Sequence, residues 1–417
     1  MKLLVFFSLI SFSIFSIAQA QEADDLDEAI RKHRTGVIVI KTEPNTTVNV
    51  AQLRHEFWFG AAIADGIFNG SAGEEDVKMY KEKFLENFNS AVTENAVKWG
   101  NMEREQGIVN FATTDNILTW TDEHHIPLRG HNIFWGIPNR VQDWLKEMDD
   151  AQLYEALQTR ARTVAARYKG RFVEYDLNNE MIHGNYYEDR LGPGITGEMV
   201  QWVKATDPQA KLFLNDYDIL TARLVREYAA HIQGFLDQGV QIDGIGVQGH
   251  LHSTSFNADS LKFSLDVLSQ FNLPIRITEF NMPGQRSEYV RRRSQPPPEM
   301  TPEEEQQRAR NLTDYYRICF AHPAVEGILM WGFWEGANWI PASSLYRKDW
   351  TTTPAAEAYW SLIYDEWWTK TAAQSGKDGM CVIPAFYGTH KVTVNGVEKT
   401  VKLSAANGST YIDMRTP

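Results

Sequence analysis

The chain has 417 residues, 43% of them hydrophobic and 23% charged, which is an ordinary globular composition and long enough for one large core. Its formal net charge of −13 argues against nucleic acid and against an anionic membrane surface as partners, because both require a basic face. A neutral polysaccharide is compatible with this charge, and 13 Trp, 16 Tyr and 21 Phe supply many aromatic side chains.

The first twenty residues have the pattern of a secretory signal peptide. Lys2 precedes an apolar run that ends in Ala18-Gln19-Ala20, a small-residue cleavage site. We therefore expect residues 1–20 to be removed, the mature chain to begin near Gln21, and the protein to be secreted or periplasmic. A membrane anchor is the alternative, but the apolar run is short against the roughly 20 residues that a spanning helix needs.

From about residue 55 onward, short β-like runs alternate with segments whose apolar residues recur at helical spacing. The candidate strands are Phe57–Ala62, Ser90–Glu94, Pro127–Ile133, Val173–Asn178, Lys211–Asn215, Ile242–Gln248, Pro274–Glu279 and Gly327–Gly332. Eight strands, each followed by a helix, predict an α/β fold, a (β/α)8 TIM barrel over residues 57–370. The alternative is a doubly wound open sheet, but its nearest phosphate-loop string, Gly244–Gly249, has the wrong spacing for a dinucleotide fingerprint.

Both ends of the chain carry β-like segments outside this barrel. Residues 21–56 are predicted to form an N-terminal β extension with a strand at Gly36–Ile40. Residues 371–417 are predicted to form a C-terminal hairpin, because Asn395-Gly396 separates two alternating runs and this pair favours a tight turn. We expect the two ends to form one small β appendage, which serves as a structural cap rather than as a carbohydrate-binding module.

One long segment, Gly284–Gln307, interrupts the alternation of strands and helices. It contains a run of prolines, and Thr301 with Glu304 three residues later has the pattern of a capping box that begins a helix. The residues before Thr301 are therefore predicted to form a long loop after the seventh strand, on the face of the barrel where long loops are often functional.

The chain has two cysteines, Cys319 and Cys381. Two are too few for a disulfide framework or a Cys-rich metal site. Cys319 lies in an apolar helical pattern typical of a core position. Whether the two cysteines form a bridge is left open by the sequence.

Polar and aromatic residues recur where the predicted strands end, which is the face on which barrels of this kind carry their sites. Two of them, Glu180 and Glu279, follow the fourth and seventh strands, from which side chains can meet across the cleft. Paired carboxylates suit glycosidic cleavage, because a protonated one assists the leaving oxygen and an ionised one attacks or activates water. A retaining enzyme holds the two about 5–5.5 Å apart.

Six strings in the chain resemble glycoside hydrolase family 10, the retaining endo-1,4-β-xylanase family. They are Glu94–Trp99, Arg129–Trp135, Tyr175–Glu180, Leu214–Tyr217, Gly246–Leu251 and Ile277–Phe280. They occur in the family's order and cover most of residues 50–370. The resemblance implies an endo-1,4-β-xylanase that hydrolyses β-1,4-xylosidic bonds of xylan or xylooligosaccharide by double displacement.

The resemblance also implies a role for each matching residue. Glu180 corresponds to the general acid/base and Glu279 to the nucleophile. The remaining positions correspond to substrate-binding residues: Asn179 and His131 at the cleavage point, Gln248 and His250 beside the nucleophile and the sugar 2-hydroxyl, Glu94, Asn95 and Lys98 around the next sugar outward, and Trp135, Trp331 and Trp339 as aromatic residues of the cleft.

Three positions depart from the pattern common in the family. Gly136 stands where a histidine often follows the tryptophan, and Tyr175 stands where tryptophan is frequent. Asn281 stands where an aspartate commonly follows the nucleophile by two positions, and this removes a charge near Glu279. These departures weaken the inference of plain xylan as substrate more than the inference of the reaction.

Three other functions are compatible with parts of the sequence. A metallohydrolase would use His124 and His125 or His250 and His252, but the first two are predicted to lie in a helix and point apart, and no HExxH motif is present. A carbohydrate-binding protein without turnover and a barrel glycosidase acting on another β-glycan are the other two. We expect no cofactor, no metal site, no nucleic-acid or membrane partner after signal removal, and a monomer.

Overall fold

The computed structural model of the protein describes residues 22–250, 256–281 and 300–415. The predicted signal peptide, residues 1–20, lies outside the described residues, as does most of the loop predicted before Thr301 in the segment Gly284–Gln307. Among the helices of the described ranges, none combines the length and apolar character needed to cross a membrane.

The strands of the described residues are β1 (Thr35–Lys41), β2 (Thr47–His55), β3 (Trp58–Ile63), β4 (Ser90–Thr93), β5 (Leu128–Gly130), β6 (Phe134–Trp135), β7 (Glu174–Asn179), β8 (Lys211–Asp216), β9 (Gly244–Val247), β10 (Ile275–Phe280), β11 (Val325–Met330), β12 (Lys370–Gln374), β13 (Met380–Phe386), β14 (Gly388–Val394), β15 (Val397–Leu403) and β16 (Ser409–Asp413). Residues 22–34 are helical. The other α-helices are Glu74–Asn87, Trp99–Met102, Ala112–Glu123, Asp143–Lys146, Asp150–Arg167, Tyr186–Leu191, Ile195–Thr206, Val225–Asp237, Ala258–Ser269, Pro302–Ala321 and Pro354–Trp360. Short 3-10 helices span Asp65–Ile67, Met181–His183, Glu335–Ala337 and Pro341–Ser343, and a π-helix spans Ser361–Glu366.

The described chain separates into two compact units. One comprises the residues up to Phe57, Asp314–Pro323 and the residues from Ile363 onward. The other comprises Trp58–Thr313 and Ala324–Leu362. The domain boundaries inferred from the sequence stay a prediction.

The second unit contains a closed parallel barrel. Its strands are ordered β5-β4-β3-β11-β10-β9-β8-β7-β6, and β5 also pairs with β7, which closes the sheet. β5 and β6 are two pieces of one barrel strand, so the predicted strand Pro127–Ile133 is interrupted: residues on either side of His131 pair with β7. Every residue of β7 and β10 is buried, as parallel strands covered by helices require. The predicted (β/α)8 barrel is confirmed.

The first unit contains two β-sheets, each of which joins strands from both ends of the chain. One sheet has the order β13-β1-β16 and the other β12-β2-β14-β15. Their inward side chains form one apolar core, to which Ile38, Val50, Ile383 and Val392 belong. The predicted β appendage is confirmed as extra strands outside the barrel.

The question of a bridge between the two cysteines is also answered. Cys319 and Cys381 are both buried, and both are free thiols.

Two local predictions are confirmed by backbone geometry. β14 and β15 pair antiparallel across Asn395-Gly396, and both turn residues have positive φ, 49° and 80°, as a type I′ turn requires. At the start of helix Pro302–Ala321, the backbone N of Thr301 donates to Glu304 Oε2 at 2.8 Å, and the backbone N of Glu304 donates to Thr301 Oγ1 at 3.3 Å. These are the reciprocal bonds of a capping box.

Candidate active site

A cavity of about 500 Å³ opens at the carboxyl ends of the barrel strands. All twelve residues singled out from the sequence line it: Glu94, Asn95, Lys98, His131, Trp135, Asn179, Glu180, Gln248, His250, Glu279, Trp331 and Trp339. Asn101, Arg140 and Tyr217 complete the lining. The parallel barrel explains this convergence, because the carboxyl end of every strand faces the same side.

Glu180 follows the last residue of β7 and has a left-handed backbone, with φ 62° and ψ 37°. Such a conformation is strained for a residue with a side chain, and its backbone N–H is fixed by a 2.8 Å bond to the carbonyl oxygen of Asn215. Its two carboxylate oxygens accept hydrogen bonds from Gln248 Nε2 at 2.8 Å and from Trp135 Nε1 at 2.9 Å. Both oxygens of Glu180 are therefore oriented by neutral donors.

Glu279 lies within β10 and is 5% exposed. Its Oε1 accepts from Asn215 Nδ2 at 3.0 Å, and its Oε2 lies 3.1 Å from His250 Nε2. Asn215 is itself held by Thr278, whose Oγ1 donates to Asn215 Oδ1 at 2.6 Å. Residues on or just after β8 and β9 thus fix both carboxylates, and Trp135 on β6 adds a bond to Glu180.

The pKa of both carboxyl groups is raised above its ordinary value. For Glu180 the main cause is burial, and the negative charge of Glu279 adds to it, while the hydrogen bond from Gln248 opposes the rise. For Glu279 the main cause is again burial, and the neighbouring His131 and Lys98 oppose the rise. The two acids are electrostatically coupled, so the ionisation of one favours a proton on the other.

A buried ionic network lies beneath the cavity, inside the barrel. Arg129 is bonded to Glu174 Oε1 at 2.5 Å and to Asp176, and Arg276 is bonded to Glu174 at 2.9 and 3.0 Å. Asp176 Oδ2 lies 2.8 Å from His131 Nδ1. Burial alone would raise the pKa of Asp176, but Arg129 and the bond to His131 outweigh it and lower that pKa. A carboxylate at Nδ1 fixes the ring of His131, and its Nε2 lies 3.4 Å from Asn132 Nδ2.

A second group of charged residues lies at the end of β4. Lys98 Nζ donates to Asn95 Oδ1 at 2.9 Å and lies 5.0 Å from the centroid of the Trp135 ring. Burial and the nearby Asp65 raise the pKa of Glu94 to about 7, although Lys98 opposes the rise. Burial also lowers the pKa of Lys98. This corner of the cavity therefore combines a cation with a carboxyl group that is poised between its two protonation states near neutral pH.

Two further tryptophans border the cavity. The ring of Trp331 meets that of His131 edge to face at 5.0 Å, and the ring of Trp339 meets that of His250 at 5.2 Å. Trp339 Nε1 donates to Asn281 Oδ1 at 3.2 Å, so Asn281 holds this wall of the cleft. Aromatic faces of this kind are suited to stacking on sugar rings, which have apolar faces of their own.

The two other departures from the family pattern have structural explanations. A Cβ atom at Gly136 would lie 2.7 Å from Asn185 Oδ1 and 3.1 Å from Tyr187 Cδ2, so these residues occupy the space of a side chain. Tyr175 is 1% exposed and its ring packs 4.9 Å from that of Phe172, with Gly130 leaving room for it. Tyr175 is thus a core residue and does not line the cavity.

The histidines considered as metal ligands do not form a site within the described residues. No cluster of three or more His, Cys, Asp or Glu side chains with metal-binding geometry occurs in the described ranges. His252 lies outside them. The prediction that His124 and His125 lie in a helix is wrong, because helix Ala112–Glu123 ends just before them and His125 has a φ of 54°.

Sequence reasoning gave no role to several residues that shape the site, although Asp176, Asn215 and Tyr217 lie within the strings that resemble the family. Asn215 and Asp176 fix Glu279 and His131, and Arg140 and Tyr217 line the cavity directly. A signal for the first two existed, since side chains along a barrel strand alternate between the lumen and the outer face, and a polar residue within an apolar strand fits a position that faces the lumen. Arg140 carries no such signal, because it lies in a loop.

The sequence of the chain is similar to the sequences of known proteins. A sequence profile for Glycosyl hydrolase family 10 matches residues 49–374. The anti-sigma-I factor RsgI6 of Acetivibrio thermocellus is 33% identical over 406 residues, which are 95% of this chain and 50% of that protein. Endo-1,4-beta-xylanase 1 of Arabidopsis thaliana is 32% identical over 352 residues, which are 84% of this chain and 34% of that protein. The chain therefore spans between about a third and a half of the length of these two relatives.

Solved structures extend the comparison to the fold. The crystal structure of native xylanase 10B from Thermotoga maritima matches with a TM-score of 0.63 at 24% identity, over 75% of this chain and 96% of that one. At this identity the likeness shows a shared barrel fold. The profile match over most of the chain and the identity to its relatives establish that the protein belongs to glycosyl hydrolase family 10.

Proposed function

We propose that the protein is a secreted endo-1,4-β-xylanase that cleaves with retention of configuration, with Glu180 as acid/base and Glu279 as nucleophile. The observation that carries the proposal is the pair of carboxylates in one cavity, each held through both oxygens by a different set of donors. Glycoside hydrolysis by double displacement requires such a pair. The names of relatives such as endo-1,4-beta-xylanases 1 and 3 of Arabidopsis thaliana support xylan as the substrate.

In the first step, an oxygen of Glu279 attacks the anomeric carbon while Glu180 gives its proton to the leaving glycosidic oxygen. The neighbouring His131 and Lys98 and the hydrogen bond from Asn215 favour the ionised form of Glu279 that this attack needs. The negative charge of Glu279 in turn favours the protonated form of Glu180.

In the second step, the same coupling reverses the role of Glu180. Once Glu279 is esterified to the sugar it carries no charge, so its contribution to the raised pKa of Glu180 is lost. Glu180 can then accept a proton from the water that attacks the anomeric carbon. This attack breaks the bond between the sugar and Glu279, which leaves as a carboxylate, so that both residues return to their starting state. Trp135 and Gln248 hold the carboxylate in place through both steps.

The test is a panel of polysaccharides, scored by the reducing ends released. We expect xylan to be cleaved faster than β-glucan or mannan, with internal cleavage visible as a rapid fall in viscosity. Glu279→Ala should abolish cleavage with an unchanged melting temperature, and Glu180→Ala should spare substrates with good leaving groups, because these need less acid assistance. Binding of xylooligosaccharide without shortening at any pH would favour a carbohydrate-binding function instead, and preferred cleavage of another β-glycan would assign the barrel to that substrate.

Secretion rests on the sequence of residues 1–20 and is tested separately. Expression of the full chain with fractionation should yield a product whose N-terminus is near Gln21. A product that keeps Met1 and stays with the cells would contradict it. Light scattering of the purified protein tests the expected monomer.

A further inference from the structure

Arg140 is a cation at the mouth of the cavity that the cleavage steps above do not use. Its side chain is exposed and lines the cavity. Its guanidinium carbon lies 4.7 Å from the centroid of the Trp135 ring. Within the part of the chain that the structure describes, no carboxylate forms an ion pair with it.

The loop that carries Arg140 is fixed on both sides. The backbone N–H of Arg140 donates to the carbonyl oxygen of Ile137 at 2.7 Å, which closes a turn. The backbone N–H of Tyr186 donates to the carbonyl oxygen of Gly136 at 2.7 Å, which ties the start of the loop to the next segment of the barrel face. Arg140 is therefore held next to Trp135 by backbone bonds as well as by ring contact.

Within the described residues, the guanidinium of Arg140 forms no hydrogen bond to a protein group, so its N–H groups remain available to a ligand. These N–H groups form a planar fork that matches the two oxygens of a carboxylate. Trp135 also donates to Glu180, so this carboxylate-binding edge lies one side chain away from the acid/base.

The negative net charge of the protein bears on what Arg140 could bind. With a formal net charge of −13, the protein repels an anionic polymer at long range, so an acidic substrate needs a local cation in the cleft. The other cation of the cavity, Lys98, is bonded to Asn95 and lies near Glu94, whereas Arg140 has no such partner in the described ranges.

We propose that Arg140 binds the carboxylate of a uronic acid side chain, so that the chain acts on acidic, uronic-acid-substituted xylan in preference to the unsubstituted polymer. This inference rests on the proposed function, because it assumes that the cavity holds a xylan backbone.

The experiment measures binding in a Glu279→Ala background, where turnover does not interfere. The ligands are a xylooligosaccharide with one glucuronic acid side chain and the same compound with its carboxyl group reduced to an alcohol. We expect the acidic ligand to bind about tenfold more tightly than the reduced one at low salt, and the difference to shrink as NaCl is added. Adding Arg140→Gln should remove this preference, and Arg140→Lys should keep part of it, because the charge remains while the planar fork is lost.

A matched control is Arg226→Gln, which removes an exposed arginine that also lies over a ring, 5.4 Å from that of Phe263, and that does not line the cavity. It should leave the preference intact. The proposal is overturned if the Glu279→Ala protein binds both ligands equally or binds neither, or if Arg140→Gln weakens both to the same extent. Cleavage of unsubstituted xylan by the wild-type protein tests the proposed function independently, because this binding assay needs no turnover.

Discussion

The side-chain amide of Gln248 donates to Glu180 at 2.8 Å, although Gln248 follows β9 and Glu180 follows β7. This bond stabilises the ionised form of Glu180 and so limits the rise in its pKa that burial causes. The pKa of Glu180 is therefore set in part by Gln248, which follows a strand two positions away in the barrel order.

Gln248→Leu should shift the pH profile of the enzyme. Removal of a donor to the anion raises the pKa of Glu180 further, so the acid stays protonated to higher pH and the alkaline limb of kcat/KM moves upward. The measurement is kcat/KM on a xylooligosaccharide from about pH 4 to 10, with the exposed Gln238→Leu as the control. A fall in kcat/KM with no movement of the alkaline limb would mean that Gln248 binds substrate without tuning the acid.

Glu94→Gln should stabilise the protein at alkaline pH. The pKa of Glu94 is raised from 4.5 to about 7, so the folded state holds a proton that the unfolded state releases between these values. Its contribution to stability is complete below pH 4.5 and is lost as pH rises through 7. Glutamine mimics the protonated form, so the gain should be on the order of 2 kcal/mol at pH 8 and near zero at pH 4.5.

Denaturant unfolding at the two pH values tests this prediction. The exposed Glu82→Gln, on helix Glu74–Asn87, is the matched control and should change stability by less than about 0.5 kcal/mol at either pH. Equal stability of Glu94→Gln and wild-type protein at pH 8 would show that the buried carboxyl group ionises without cost.

Arg129→Met should strongly destabilise the barrel. Arg129 is fully buried and pairs with Glu174 and Asp176, so its loss leaves two buried carboxylates with too little positive charge. Breaking a buried pair from one side typically costs about 3–5 kcal/mol, whereas the exposed pair of Arg167 with Asp115 should cost at most about 1 kcal/mol when Arg167→Met removes it.

The loss of stability in Arg129→Met should depend on pH, and the charge pairs determine its direction. Despite burial, Arg129 and the bond to His131 lower the pKa of Asp176 below its ordinary 3.8, and Arg276 together with Arg129 lowers the pKa of Glu174 below its ordinary 4.5. The stability from these pairs is present above those ordinary values and is lost as pH falls below them. The difference between wild-type protein and Arg129→Met should therefore be largest near neutral pH and smaller toward pH 3. A difference that grows on acidification would contradict the proposed charge pairing.

Gly136→His should destabilise this chain, although histidine is common at this position in the family. The added Cβ would lie 2.7 Å from Asn185 Oδ1, and the resulting displacement should cost about 1–3 kcal/mol. Asn185→Gly removes that obstacle, so a double-mutant cycle should show favourable coupling between the two changes. Gly73→His is the control, because no atom lies within 4 Å of its added Cβ. Additive effects in the cycle would mean that the destabilisation by Gly136→His does not come from the contact with Asn185.

Much of the fold was predictable because the barrel strands are short apolar runs that alternate with amphipathic helices. The third strand was predicted as one piece because sequence cannot show that the chain leaves the ladder at His131. β2 was missed although Val48 and Val50 alternate with polar residues, and the alternation marks the buried face. β12 has no such pattern, since it is largely exposed and its extended form depends on pairing with β2.

Many of the residues that line the cavity were predictable as well. Strand ends carry Glu94, Asn179 and Glu279, so the barrel topology alone brings them together. The bonds between them depend on distances, and no spacing in the sequence indicates that Asn215 reaches Glu279 or that Asn281 holds Trp339. The crowding at Gly136 has no signal in the sequence either, because the Asn185 side chain that fills this space is distant along the chain.

The most direct test of the central claim is to trap the covalent intermediate on Glu279. A 2-fluoro-xylobioside with a good leaving group should label the protein once, because the fluorine slows the second step more than the first. Peptide mass spectrometry should place the sugar on Glu279, and Glu279→Ala should remain unlabelled. Labelling of another carboxylate, or a first-formed product of inverted anomeric configuration in a parallel NMR measurement, would contradict the assignment of Glu279 as nucleophile.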